Sequence, residues 1–137
     1  YKEKLYVTDR DVIIEVNTDG TWSVFGSTMA FPKTPVFLND IDVDSDGNFY
    51  ITDTSNFETG GIVFKMNQIG DISVLFDETT DNTKAPNGVL PIGNNKILIV
   101  DWGGELFEAD TKTKKIIKLG EAFQVVMVWQ SKMERYT

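Results

Sequence analysis

Between Asn39 and Asp53 the chain reads NDIDVDSDGNFYITD, and two folds compete for it. Counted from Asp42, the stretch holds D-x-D-x-D-G and an acid at the twelfth position, Asp53, which is nearly the pattern of a calcium-binding helix-loop-helix. The flanks decide the matter. Phe49, Ile51 and Asp53 alternate with Tyr50 and Thr52, a period of two that belongs to a strand and not to the helices such a loop needs. Alternation also sends Asp40, Asp42 and Asp44 along one side of a strand rather than around one ion. A β-hairpin calcium loop would want an acid at the ninth position, which is Tyr50. The stretch therefore predicts strand, tight turn at Asp44-Ser45-Asp46-Gly47, and strand, with Asp and Gly supplying the turn chemistry.

Working outward, the same unit recurs. LYVTDRDVIIEVNTDGTWSVFG from Leu5, FYITDTSNFETGGIVFKMNQIGDISVLFD from Phe49 and ILIVDWGGELFEADTKTKKIIKLG from Ile97 superimpose. Each opens with an apolar strand ending in Asp, at Asp9, Asp53 and Asp101, spaced 44 and 48 residues apart. A second strand follows a variable loop (Val12–Val16, Ile62–Met66, Leu106–Ala109), and a third follows a polar turn (Thr21–Phe25, Ile72–Phe76, Lys115–Leu119). The second and third copies carry an upstream strand as well, Asp40–Val43 and Val89–Ile92. A four-stranded unit of roughly 40–50 residues with turn residues at fixed offsets is the signature of a propeller blade.

The expectation is an all-β fold of propeller blades, each a four-stranded antiparallel meander labelled a to d from the axis outward. One half-propeller domain fills residues 1–137. The first blade has strands b–d over 4–26, the second spans 37–77 and the third 86–120, with a final strand over 123–129. That last segment, Gln124-Val125-Val126-Met127-Val128-Trp129, stands where a fourth strand a belongs. Three blades do not close a ring, since propellers have roughly 4–8. The sequence leaves two readings: part of a longer protein, or a homodimer whose two chains build six blades. Burying the VVMVW side chains is worth roughly 1.5–3 kcal/mol each, and left open they would form an aggregating edge, which favours assembly.

Composition narrows the chemistry. A net charge of −8 offers no basic stripe for nucleic acid and disfavours an anionic membrane surface. The chain has no cysteine and no histidine, so thiol catalysis, Ser-His-Asp mechanisms and His-rich zinc sites are excluded. Any catalysis rests on carboxylates, Lys, Tyr or an oxygen-ligated metal. No run of apolar residues is long enough to span a membrane as a helix. Cysteine usage fits cytoplasm, periplasm and exterior equally.

In such a meander, the start of strand a, the end of strand b, the b–c loop and the d–a link share one face. That face carries the long connections Gly26–Phe37, Thr54–Gly61, Asp77–Pro86 and Trp102–Gly104, and function concentrates in long loops on a rigid scaffold. It also bears Asn39, Asp40, Asn87, Asp53 and Asp101. Asn39 and Asn87 read either as ligands or as turn caps. Asp9, Asp53 and Asp101 read as a repeated hydrogen bond to the adjacent loop, with ligand contact as the other reading for Asp53, Asp101 and the neighbouring Trp102.

Phe37-Leu38-Asn39-Asp40-Ile41-Asp42-Val43-Asp44, with Gly47-Asn48-Phe49-Tyr50-Ile51-Thr52-Asp53 after it, resembles a segment of the six-bladed propeller superfamily. That superfamily includes gluconolactonase and senescence marker protein, the strictosidine synthase-like proteins and paraoxonase. Pro86-Asn87-Gly88-Val89 looks like the P-N-G element of the same superfamily one blade later, and the blade repeat resembles NHL-type propellers too. The resemblance implies a divalent ion, calcium favoured, at the end of the central channel, with Asn87 as a ligand and Asn39 either a ligand or a residue that orients substrate; in a hydrolase of esters or lactones built this way, Asp40 is the candidate base. NHL-like propellers imply a non-catalytic binding module instead. The superfamily's carboxylate ligands on two further inner strands are not matched: one would precede Tyr1, and the other falls at Gln124-Val125.

Overall fold

The computed structural model describes residues 1–79 and 83–121. Eleven strands form three antiparallel sheets among these residues, with a single 3-10 turn at Thr28–Ala30. The first sheet joins β1 (Leu5–Asp9), β2 (Val12–Val16) and β3 (Trp22–Gly26) in that order. The second joins β4 (Leu38–Val43), β5 (Phe49–Asp53), β6 (Ile62–Met66) and β7 (Ile72–Phe76). The third joins β8 (Pro86–Gly93), β9 (Lys96–Asp101), β10 (Glu105–Asp110) and β11 (Ile116–Glu121). Each sheet is a propeller-like blade, the first showing three strands and the others four, as the repeat predicts. Strand ends shift by one or two residues, and β8 begins three residues before the expected Val89 because Pro86 already pairs with Asp101. The expected strand over 123–129 lies outside the described residues.

Strand alternation gives every blade two working faces, and the blades stack face to face. Tyr6, Ile13 and Phe25 of the first blade meet Phe49, Ile51, Phe64 and Met66 of the second. Tyr50, Val63 and Phe76 on the other side of the second blade meet Val89, Ile97, Ile99 and Phe107 of the third. The core is thus two apolar layers between three blades, and all five residues of β5 are buried. Apolar side chains also line the outward faces at the two ends of the arc, exposed on the first blade, whereas Leu90 and Val100 on the third are buried. Leu5, Val7, Trp22 and Val24 are exposed on the first blade. Leu90, Leu98, Val100 and Leu106 form a small cluster on the third, beside the exposed Ile117 and Leu119.

The acidic run resolves as a turn that the protein uses three times. Asn17–Thr21, Asp44–Asn48 and Asn67–Asp71 each close with the same backbone pair, the first N–H bonding the fifth carbonyl and the Gly N–H bonding the first carbonyl. Gly20, Gly47 and Gly70 supply its left-handed residue at φ +85°, +81° and +94°, the conformation glycine adopts without a Cβ penalty. Asp44 Oδ1 accepts the N–H groups of Asp46 and Asn48, and Oδ2 accepts the Tyr50 hydroxyl at 3.0 Å. Burial, followed by the nearby Asp44 charge, pushes the Tyr50 phenol above its ordinary range.

Candidate functional site

The innermost strands β4 and β8 run side by side and begin on the long-loop face, so Asn39, Asp40 and Asn87 arrive together at one end of the molecule. What holds them is a pair of buried threonines at the end of β5. Thr52 Oγ1 accepts the Asp40 N–H at 3.0 Å and donates to the Asn87 carbonyl at 2.8 Å. Thr54 Oγ1 accepts from Asn39 Nδ2 at 3.0 Å and donates to the Pro86 carbonyl at 2.9 Å. The Asp40 carboxylate closes the net, taking the Val89 N–H on Oδ2 at 2.9 Å and its neighbour Ile41 N–H on Oδ1 at 3.0 Å. Thr8 repeats the Thr52 bond one blade earlier, donating to the Asn39 carbonyl at 2.9 Å. Asn39 and Asn87 themselves are half-buried.

Asp53 and Asp101 occupy equivalent places and do equivalent work. Asp53 accepts the N–H groups of Val36, Phe37 and Ser55 at 2.8–2.9 Å. Asp101 accepts those of Ala85 at 2.8 Å and Lys84 at 3.4 Å. Each carboxylate ties the link that precedes its own blade's innermost strand, as the repeated-hydrogen-bond reading expects. Burial pushes the Asp101 carboxyl above the usual range, and the backbone N–H groups pull it part of the way back. Asp9, in the first blade, is exposed.

Trp102 is 55% exposed and does not stand alone. Its ring packs edge-on against Phe57 at 4.9 Å, and Phe57 packs against Phe37 at 5.0 Å, so three rings from three different loops form a strip across the second and third blades. Phe57 sits at φ +71°, a left-handed conformation that a bulky side chain rarely takes, and Ser55 at +53° leads into it. Sequence reasoning singled out Trp102 and missed Phe37 and Phe57. It also missed Thr52 and Thr54, although the Thr-Asp pair at residues 8–9 and 52–53 recurs in register with the marker Asp.

Among the described residues no group of three or more Asp or Glu side chains gathers as a metal site. The donors present are two carboxamides and the Asp40 carboxylate, hard oxygen atoms that suit calcium in kind. Their low charge fits a partly hydrated, weakly held ion rather than a closed cage.

No family model matches the chain, and no curated protein matches it. Among solved structures, the chain is similar to the extracellular domain of the putative one-component system BT4673 from B. thetaiotaomicron, at a TM-score of 0.61 and 15% identity. The match covers 89% of this chain and 16% of that one, so this chain spans about a sixth of the neighbour's length. At that identity the likeness carries the fold alone.

Proposed function

We propose that the chain is a β-propeller module that binds an ion or small molecule at its long-loop face, in the manner of metal-dependent lactonase and esterase propellers. The observation that carries the reading is the hydrogen-bonded pairing of Asn39-Asp40 with Pro86-Asn87 on adjacent innermost strands. In this reading Asn39 and Asn87 hold a divalent cation, calcium favoured, and Asp40 is the carboxylate beside them. A bound ion of this kind polarises an ester or lactone carbonyl and acidifies water. The protein's own part is to fix the Asn39 carboxamide and the Asn87 main chain through buried threonines, and to keep a carboxylate anchored next to them. The test is a calcium titration followed by thermal unfolding. Calcium raises the midpoint in the wild type and leaves Asn87→Ala unmoved, and slow hydrolysis of a simple lactone depends on the ion. A wild type whose unfolding ignores calcium sinks the reading.

The strip of Phe37, Phe57 and Trp102, exposed at both of its ends, favours a second reading, a non-catalytic NHL-like binding module. Ligand capture there survives chelation of all divalent ions and is lost in Trp102→Ala.

For assembly, a homodimer that completes a six-bladed ring is the proposal, supported by the exposed apolar face of Leu5, Val7, Trp22 and Val24 on the first blade. Leu5 and Val7 stand where Phe49 and Ile51 are buried one blade later. Light scattering then finds twice the 15.4 kDa of the chain, and Val24→Lys on the first blade drives it to the single mass. A wild type of single mass rules the dimer out.

A further inference from the structure

The net between β4 and β8 has a direction, and proton counting fixes it. Thr54 is fully buried, so its hydroxyl answers only to protein groups. That hydroxyl has one proton, and the Pro86 carbonyl, which can only accept, takes it at 2.9 Å. The Thr54 oxygen is then an acceptor toward Asn39, so the atom of Asn39 that faces it must be Nδ2. The Asn39 main-chain carbonyl is already taken by Thr8. No described group donates to Asn39 Oδ1, and the residue is half-exposed on the long-loop face.

We infer that Thr54 is a positioning residue, which locks the Asn39 carboxamide with Nδ2 turned to the protein and Oδ1 presented to the ligand. The site so built offers a fixed acceptor. It takes an electropositive partner such as a divalent cation, and it turns away carboxylate and phosphate oxygens, which would need the donor end. Valine at 54 matches threonine in shape and removes both the proton and the lone pairs, freeing the carboxamide to rotate and stranding the Pro86 carbonyl. Serine keeps both. The inference rests on the ion-binding reading for its ligand and on the hydroxyl alone for its geometry, so the two can fail separately.

The first measurement needs no ligand: exchange of the Asn39 side-chain amide protons by NMR. Protection is expected in the wild type and in Thr54→Ser and is lost in Thr54→Val. An unprotected wild type, or protection that survives valine, overturns the assignment. The second is calcium affinity, expected to fall roughly 10–100-fold in Thr54→Val, the usual effect of removing an outer-shell partner, and to return in Thr54→Ser. Equal affinity in the valine variant overturns the positioning role. Protection as expected with no calcium binding in the wild type upholds the orientation and sinks the ion-binding function. Should Thr54→Val fail to fold, Thr54→Ala gives the same answer: the Asn39 amide protection is lost with the hydroxyl, and protection that survives alanine overturns the assignment.

Discussion

Asp53 is 1% exposed beneath three backbone N–H groups, and all three belong to the segments on either side of Leu38–Asp53. Replacing it with Asn removes one acceptor oxygen and points an NH2 at those donors. Asp53→Asn should therefore cost roughly 1–3 kcal/mol, the penalty of leaving buried polar groups unpaired, read from urea unfolding. Unchanged stability would show that the loops do not lean on the carboxylate. Asp77 gives the pH dependence. The Lys33 ammonium at 2.8 Å, then the Thr79 hydroxyl and N–H, hold its carboxyl down to about 2 from an ordinary 3.8. A group lowered on folding stabilises the protein above its unfolded value, and that contribution disappears as pH falls from 3.8 through about 2. The stability gap between wild type and Asp77→Asn should close over that window, and high salt should narrow it at all pH. Asp101 has the opposite sign. Burial raises it, so its native form binds the proton more readily and it lowers stability as pH rises from 3.8 through its native value. A gap that widens in acid would contradict the Asp77 assignment.

The threefold use of one turn explains why the elements were legible. Alternation, Asn or Asp at the first position and Gly at the fourth are local signals, so the hairpins and the turn nature of the acidic run could be read from the chain. Contacts between blades have no such local mark. Thr52 and Thr54 look like ordinary strand residues until the next blade places the Asn87 and Pro86 carbonyls beside them, and the rings of Phe37, Phe57 and Trp102 come from loops 20 and 45 residues apart. Gly61 shows how close that approach is. Its N–H bonds the Lys84 carbonyl at 2.9 Å, and a Cβ there would meet the same oxygen at 2.6 Å and crowd the Pro86 ring. Gly61→Ala should destabilise by about 1–3 kcal/mol through overpacking, and should also disturb the Pro86-Asn87 end of the site. A stable variant with an unchanged Asn87 amide resonance would show that the loop yields freely.

At the scale of the molecule, the apolar layers among the described residues join each blade to its sequence neighbour, so stability is shared out along a line rather than around one centre. Both faces of the second blade take part in the layers between blades, while Leu5, Val7, Trp22 and Val24 leave the outward face of the first blade exposed. Hydrogen exchange should accordingly be slowest in β5 and β6 and fastest in β3 and β11. Uniform exchange across all three blades would mean one cooperative unit instead. The blades also differ in what they offer the next one. Thr8 and Thr52 have their counterpart in Val100, and Asp40 has its counterpart in Gly88, so the third blade's outward face has neither the hydroxyl nor the carboxylate that fastens the second to the third. Anyone building longer arrays from this chain would find its modules unequal: tandem copies of the second blade bring their own fasteners to every joint, whereas tandem copies of the third would have to hold together by greasy contact alone.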